Sequence, residues 1–205
     1  MENPLVQKYQ TQQSYERMLS VLNVLQKNEM IDNQRKKEMD EIKTFSDEYR
    51  WLSNFWRVDI IYNKIHYPTV EHAYQAQKTT DKLTQIEIAN LMTPGEAKRA
   101  GKRLALRGGW ASEKEQIMLD LLRLKFTKYK LRRELLQTGL CKLIEGNYWH
   151  DNFWGVCYCR KCGRKHPEEG CNALGRLLMQ VRAEIRKEET NEQICGKFSE
   201  SQVRW

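Results

Sequence analysis

A chain of 205 residues, with 40% apolar and 30% charged residues, is long enough for one domain with appendages and a sizeable buried core. Its net charge of +8 favours phosphate-bearing partners, and the dispersed basic residues suit a nucleotide as well as a nucleic acid. No apolar run approaches the roughly 18 residues of a membrane span, and the N-terminus lacks a secretory pattern. The composition therefore predicts a protein of the cytoplasm with no membrane partner.

The N-terminal segment, residues 1–43, is predicted to be a helical extension. Its apolar residues repeat at spacings of three and four, as on one face of a helix. They are Tyr15, Met18, Leu19, Leu22 and Leu25. We expect this segment to pack on the main domain or on a partner, which includes self-association through residues 1–43. The domain boundary is predicted near Lys43.

The next stretch, residues 45–56, interleaves large aromatic rings with polar side chains. This mixture suits a recognition loop with stacking faces, or equally a set of core anchors. Residues 58–62 and 65–67 are rich in β-branched and aromatic residues and flank Asn63 and Lys64, so they predict a short β-hairpin. Asn tolerates a positive φ in such a turn, although the usual glycine is missing.

A helix is predicted to begin at Thr69, because the Thr hydroxyl can cap it and Pro68 keeps the preceding residues extended. At 3.6 residues per turn, Glu71, Gln75 and Lys78 fall on one face. Two interpretations remain open at this point. The face is a solvated surface joined by helical pairs, or it is a pocket wall with a proton-transfer carboxylate and an amine nucleophile.

Beyond it, the sequence marks the ends of two longer helices. Residues 93–96 form a capping box with proline at the first helical position, and residues 108–109, both glycine, are the predicted stop. Ser112 and Glu115 repeat the box, so the next helix is predicted to start there and to run to Phe126.

The C-terminal part predicts shorter elements and a closing helix. Residues 131–138 predict a helix closed by Gly139, and residues 140–145 predict a short strand. The apolar face of the closing amphipathic helix consists of Leu174, Leu177, Leu178, Val181 and Ile185. The tail, residues 188–205, is polar without a period and is expected to be mobile. The predicted fold class is α+β, a mainly α-helical single domain over residues 44–187 with a small β-sheet.

Cysteines crowd into an insert at residues 157–171. Two thiolates at the spacing of Cys159 and Cys162 can chelate one tetrahedral ion, as in a zinc knuckle. The remaining ligands would come from Cys157, Cys171 and His166, and the predicted metal set is Cys157, Cys159, Cys162 and Cys171. The alternative is a reduced loop without metal. A catalytic zinc is not expected, because nothing else supplies an open three-ligand site.

Nine short motifs occur in an order that resembles the NADAR (YbiA-like) N-glycosidase family over roughly residues 44–187. They are Leu52-Ser53-Asn54-Phe55, Pro68-Thr69-x-Glu71-His72-x-x-Gln75-x-x-Lys78, Thr93-Pro94 with Ala97-Lys98, Trp110, Met118 with Lys125-Phe126, Leu136-x-Thr138-Gly139, Glu145, Trp154-Gly155, and Asn172-x-Leu174-Gly175-x-x-Leu178-Met179-x-x-Arg182. The chain departs from the family at Lys64, where the hairpin turn commonly has glycine. The resemblance implies a YbiA-like fold and hydrolysis of an N-ribosidic bond without a catalytic cofactor.

The resemblance also implies roles for residues. Substrates would be phosphorylated ribosylaminopyrimidines of riboflavin synthesis, or ADP-ribosylated guanine in nucleic acid. Glu71 would move protons, and Lys78 would either form a Schiff base with the sugar C1 or, if the ring stays closed, hold phosphate while Glu71 activates water. The residues implied to line the substrate site are Ser53, Asn54, Phe55, Trp110, Asp151, Trp154 and Asn172. The competing hypotheses are a non-catalytic sensor of NAD or ADP-ribose and an adaptor acting through residues 1–42.

Overall fold

A computed structural model of the protein describes residues 16–24, 26–27, 41–163 and 171–201, with side chains described as far as residue 191. The chain divides into two compact units, residues 1–41 and 42–205. In the first unit, residues 16–24 and 26–27 are helical (α1), as the apolar repeat predicts. Most of the predicted N-terminal extension, and with it the proposed self-association, lies outside the described residues.

The described part of the chain after α1 alternates short strands with helices. The elements are β1 (Glu41–Ile42), a 3-10 helix (Asp47–Leu52), β2 (Arg57–Tyr62), β3 (Ile65–Thr69), α2 (Val70–Ala76), α3 (Lys82–Ala89), α4 (Pro94–Arg103), α5 (Trp110–Lys125), α6 (Tyr129–Gln137), β4 (Lys142–Leu143), β5 (Gly146–Asn147), β6 (Val156–Cys157), α7 (Arg160–Gly163) and α8 (Ala173–Ser201). The strands pair as β1 with β4, β2 with β3, and β5 with β6. The prediction of a mainly helical α+β fold is confirmed.

The predicted hairpin is formed by β2 and β3, which pair antiparallel. Its two turn residues, Asn63 and Lys64, both have positive φ, 51° and 67°. A two-residue turn of this kind matches the right-handed twist of the strands, and Asn in the first position lowers its cost. The pairing brings Thr69 opposite Arg57, so β3 delivers the chain directly into α2.

The core surrounds α2, whose seven residues are all buried. This helix packs against α3, α4, α5 and β3, while α5 also packs against α8 and β2. A helix of two turns is unstable alone in water, so tertiary contacts hold it in place. The polar side chains that it buries must therefore find partners inside the protein.

Two helix ends differ from the predictions. α4 ends at Arg103, before the predicted glycine stop, because Leu104 is already extended. α5 begins at Trp110, not at Ser112, and Gly109 with φ 76° occupies its N-cap. The Ser112 hydroxyl donates to the Gly109 carbonyl oxygen at 2.9 Å, so it is used inside the first turn and does not cap.

The polar tail, for which the sequence shows no period, begins as helix, because α8 runs on to Ser201. Charged residues such as Glu and Lys have good helix propensity and need no apolar period to extend a helix that is already nucleated. Ion pairs with α6 lie at the start of this extension. Arg132 reaches Glu188 at 3.0 Å and Glu189 at 3.5 Å. Among the described residues, we find no helix that combines the length and apolar character needed to cross a membrane.

Candidate active site

The predicted acid, Glu71, lies in the first turn of α2. The Thr69 hydroxyl accepts from the His72 backbone N–H at 3.2 Å, which confirms the predicted cap. The Glu71 backbone N–H donates to the Asn54 carbonyl oxygen at 3.0 Å, so the aromatic stretch is joined to the start of the helix. The side chain of Glu71 is only 6% exposed. The helix therefore presents its carboxyl to the interior, not to a wet surface.

The charge of Glu71 is controlled by its neighbours. Burial raises the pKa of its carboxyl, while a hydrogen bond from Gln75 and the positive charges of Lys98 and Lys78 act in the opposite direction. The negative charge of Asp151 raises the pKa further. A carboxyl in this setting holds its proton to higher pH than an exposed Glu, as a general acid must.

Lys78 lies just beyond α2, which ends at Ala76, so it belongs to the turn after the helix and not to its last turn. Its Nζ donates to the Gly101 carbonyl oxygen at 3.3 Å and lies 6.0 Å from the centre of the Tyr74 ring. Burial lowers the pKa of the ammonium, and the nearby Lys102 and Lys98 charges lower it too, against the opposing charge of Glu71. A larger fraction of the amine is therefore neutral and nucleophilic than for an exposed lysine.

A second carboxyl, Glu145, was part of the family pattern but had no predicted role. Burial and the negative charge of Asp151 raise its pKa to about 7. Its Oε2 has no hydrogen-bond partner within the described part of the chain. Lys98 acts on the charge of both Glu145 and Glu71, so these groups and Asp151 form one charged cluster with Lys78. We call Glu71, Lys78, Lys98, Glu145 and Asp151 the charged cluster.

The side chain of Asn172, which the resemblance implies to line the substrate site, bonds the backbone through both ends of its amide. Its Oδ1 accepts from the Glu145 backbone N–H at 3.0 Å, and its Nδ2 donates to the Leu143 carbonyl oxygen at 2.8 Å. The residue has φ 44°, a left-handed conformation that Asn adopts more readily than most residues. Asn172, the residue before α8, therefore holds the backbone of Glu145 in place.

A buried lysine, Lys125, holds the loop with Ser53, Asn54 and Phe55 in place. Lys125 Nζ donates to the carbonyl oxygens of Leu52 at 3.1 Å and Ser53 at 2.8 Å, and burial lowers its pKa to about 7. The Ser53 hydroxyl accepts from the Phe55 backbone N–H at 3.2 Å. Asn54 donates to Met118 Sδ, and its buried Oδ1 has no partner among the described residues.

Aromatic rings flank the charged cluster. The Tyr74 ring lies 5.1 Å from that of Trp110 and 5.4 Å from that of Trp154, with centroids as the reference points. Two other rings, those of Phe55 and Trp149, are exposed, and their centroids lie 5.7 and 5.8 Å from Lys98 Nζ. Trp110 and Trp154, both implied by the resemblance to line the substrate site, are thus brought together through Tyr74.

Asp151 closes a turn and contributes its charge. Its Oδ1 accepts from the backbone N–H groups of Phe153 at 3.2 Å and Trp154 at 2.9 Å. The Asp151 carbonyl oxygen in turn accepts from Asn147 Nδ2 at 2.7 Å. This turn determines where the Trp154 ring lies, while the carboxylate charge raises the pKa of Glu71 and Glu145.

A separate group of sulfur and nitrogen donors lies next to that turn. One ligand atom from each of four residues lies within 4.8 Å of the others, and these residues are His150, Cys157, Cys159 and Cys162. We call them the cysteine–histidine cluster. This cluster differs from the predicted ligand set in one member, because it contains His150 and not Cys171. The exposed Cys171 is tied through its backbone N–H to the Asn152 carbonyl oxygen at 2.8 Å, while His166 lies outside the described residues.

Three residues of these sites had no role assigned from the sequence: Lys98, Glu145 and His150. Lys98 and Glu145 were visible only as members of motifs, since their partners come from distant segments. His150 precedes the first cysteine of the insert by seven positions, and this spacing was the one signal that could have identified it.

Comparisons with known proteins agree with this architecture. The NADAR domain family matches residues 35–186. N-glycosidase YbiA of Escherichia coli is 37% identical over 147 residues, which cover 68% of this chain and 84% of that protein. An N-glycosidase of Nostoc punctiforme is 39% identical over 144 residues, covering 67% and 86%. Riboflavin biosynthesis protein PYRR, chloroplastic, of Zea mays is 38% identical over 134 residues, covering 58% of this chain and 20% of that protein.

The fold comparison agrees with the sequence comparison. The NMR structure of E. coli YbiA superimposes with a TM-score of 0.62 at 35% identity, covering 73% of this chain and 86% of that one. Together with the buried acid and amine, these relatives define an enzyme of the N-glycosidase class, which is a class of glycosyl hydrolases. The chain belongs to the NADAR domain family, as the ordered motifs predicted.

Proposed function

We propose that the protein hydrolyses the N-ribosidic bond of a phosphate-bearing ribosylated heterocycle whose sugar C1 is attached to an exocyclic amine. One observation carries this proposal: a buried carboxyl, Glu71, and a partly desolvated amine, Lys78, share the charged cluster, and each has its pKa shifted toward its uncharged form. An acid that keeps its proton and an amine that loses its proton are the two groups that cleavage through a Schiff base requires.

The proposed reaction starts with opening of the ribose ring. The ring oxygen takes up a proton from Glu71, and the lone pair of the exocyclic nitrogen forms a C1=N iminium. Lys78 Nζ then adds its electron pair to C1. A proton moves from Nζ to the exocyclic nitrogen, the bond from C1 to that nitrogen breaks, and the heterocycle leaves as a free amine.

Hydrolysis of the lysine adduct completes the cycle. The Lys78 nitrogen is now doubly bonded to C1, and water adds to that carbon while Glu71 accepts a proton. The hydroxyl proton of the resulting carbinolamine moves to Nζ as the bond between C1 and Nζ breaks, which releases the sugar aldehyde and restores the lysine amine. One water is consumed, no oxidant or reductant is needed, and no cofactor takes part.

Substrate binding is proposed to use the groups around the charged cluster. The partly buried ring of Trp154 offers a stacking face for the heterocycle, and the buried rings of Tyr74 and Trp110 support it from behind. Lys98 carries a positive charge beside the exposed rings of Phe55 and Trp149, where it can pair with a phosphate. Asn172 acts as a positioning residue for Glu145, since both ends of its amide already bond the backbone.

Two substrate classes share the required bond. They are ribosylaminopyrimidine phosphates, supported by the name of the maize relative, and ADP-ribosylated guanine in DNA. Incubation of the purified chain with each, followed by mass-spectrometric measurement of the released base, tests the proposal. We expect Glu71-dependent release from at least one of them. Measurable binding of NAD or ADP-ribose without turnover of either substrate would replace the enzyme with a sensor.

We also propose a cytoplasmic location and self-association through residues 1–43. The cytoplasmic proposal is supported by Cys157, Cys159, Cys162 and Cys171, which crowd together without forming a disulfide, as a reducing compartment favours. Self-association is supported by the apolar repeat in this segment. Sedimentation of the full chain and of a variant that lacks residues 1–43 measures it, and equal masses per particle after allowance for the deletion would exclude it.

A further inference from the structure

The cysteine–histidine cluster has the chemistry of a closed metal site. Its donors are three thiols and one imidazole, and His150 Nδ1 lies 3.3 Å from both Cys159 Sγ and Cys162 Sγ. Around zinc, with bonds of about 2.3 Å to sulfur and about 2.0 Å to nitrogen, the donors of a tetrahedron lie roughly 3.5–3.8 Å apart. The spacing of the cluster is therefore close to that of a zinc shell before any adjustment.

We propose that His150, Cys157, Cys159 and Cys162 bind one structural zinc ion, which fixes the turn that presents Asp151 and Trp154 to the active site. Three thiolates and an imidazole complete a four-coordinate shell and leave no open position for substrate or water, as in structural sites. The second part of the proposal, the effect on the active site, rests on the proposed function, whereas zinc binding does not.

The segments around the paired strands β5 and β6 carry all four donors. β5 and β6 pair parallel, with Asn147 opposite Cys157, and the Tyr158 backbone N–H donates to the Asn147 carbonyl oxygen at 2.7 Å. His150 comes from the segment after β5, with φ 67°, a conformation that a non-glycine residue adopts only when its surroundings hold it. The cysteines come from β6 and from the start of α7. A bound ion would thus join the segment after β5 to the segment after β6.

Asp151 follows His150 directly, which links the cluster to the active site. The Asp151 turn is held at one end by Asn147 and at the other by the backbone N–H of Trp154. The Trp154 ring in turn contacts Tyr74 of α2, the helix that also carries Glu71. Displacement of His150 would therefore shift both a charge that acts on Glu71 and a ring that flanks the site.

The chain offers a matched control for the ligands. Cys171 is exposed and belongs to the same insert, but it is not in the cluster. We expect elemental analysis of the full chain, purified under reducing conditions, to give about one zinc per chain. The Cys171→Ser variant should keep it, whereas Cys159→Ser and His150→Ala should lose most of it. Cobalt in place of zinc should give the intense visible absorption of a tetrahedral thiolate site, weakened or shifted in His150→Ala.

Removal of the metal by a chelator tests whether zinc positions active-site residues. The measured quantities are KM and kcat, which metal analysis alone does not give. Removal of zinc should raise the KM of the substrate about tenfold or more, with a smaller change in kcat, because the turn becomes misplaced while Glu71 and Lys78 stay in α2 and its following turn. Circular dichroism should show that α8 and α5 remain folded. Restored KM after addition of zinc supports the positioning role.

Several results would overturn the proposal. A metal content near zero, with three reactive thiols at Cys157, Cys159 and Cys162, would leave a reduced loop. Loss of zinc in Cys171→Ser with full retention in His150→Ala would assign a different fourth ligand. An unchanged KM in the metal-free protein would mean that zinc holds only the insert and does not position Asp151 and Trp154. If no substrate is turned over, the metal analysis and the cobalt spectra still decide whether zinc binds.

Discussion

Gln75 Nε2 donates to Glu71 Oε1 at 2.8 Å, and both side chains are buried one helical turn apart. This bond orients the carboxyl and leaves its other oxygen for a ligand. The helix α4 approaches so closely here that a Cβ on Gly101 would overlap Gln75 Oε1. The same glycine accepts the hydrogen bond of Lys78 Nζ. One backbone position of α4 thus supports both the acid and the amine.

The Gly101→Ala variant should therefore lose stability and activity. Alanine normally favours a helix interior over glycine by about 1 kcal/mol, but here the overlap with Gln75 outweighs it. We expect a loss of about 1–3 kcal/mol in the free energy of unfolding, measured in urea, and at least a tenfold lower kcat. The control is Gly95→Ala in the same helix, where the nearest atom lies 3.6 Å from the new Cβ and stability should change by less than about 1 kcal/mol. If both variants behave alike, close packing at Gly101 is not what positions Gln75.

Replacing the acid should remove turnover and spare binding. Glu71→Gln keeps the shape and the hydrogen bond with Gln75 but cannot transfer a proton, so kcat should fall by about 100-fold to 10,000-fold with little change in substrate affinity. Steady-state kinetics and calorimetric titration measure the two quantities. Glu87→Gln on the exposed face of α3 is the control and should keep full activity. Substantial turnover by Glu71→Gln would move the acid role to Glu145.

The amine makes the Schiff-base route visible. Borohydride added during turnover should reduce the imine and attach the sugar to Lys78, and peptide mass spectrometry should locate it. Lys78→Ala should give no adduct. Lys130→Ala, at an exposed position of α6, should give the same yield as the natural chain. The closed-ring route predicts the opposite pattern. It gives no adduct in any variant, and Lys78→Ala raises KM while kcat is kept.

Glu145 should make stability depend on pH. Its pKa is raised to about 7 in the folded protein, above the ordinary value of 4.5, so the folded state binds the extra proton between these values. The stabilisation is complete below about pH 4.5 and is lost as pH rises through 7. Between pH 5 and pH 8, the free energy of unfolding should fall by about 1–3 kcal/mol relative to Glu145→Gln. Urea unfolding at the two pH values measures the difference.

A matched variant separates Glu145 from the general effect of pH. Glu87→Gln removes an exposed carboxyl, so its unfolding free energy should follow the natural chain across the same range. Equal slopes for Glu145→Gln and the natural chain would mean that Glu145 is as well solvated in the folded state as in the unfolded one.

The sequence by itself determined the hairpin, the cap at Thr69 and the face that carries Glu71 and Gln75. These depend on turn chemistry, capping and helical spacing, which act within a few residues. The order of nine short motifs along the chain also predicted the family. The polar tail shows the limit of the same approach, because its helix begins with ion pairs to Arg132 of α6 that no local period predicts.

Only the tertiary structure decided whether that face is wet or buried. The burial of Glu71 results from α3, α4 and α5 closing around a two-turn helix, and burial is what moves its pKa. Likewise, Asp151 and Lys98 act on the pKa of Glu71 from segments far away in the chain. His150 joins Cys157 because β5 and β6 pair. Local sequence fixes which groups a segment carries, whereas long-range packing sets which groups meet and how strongly their charges are desolvated.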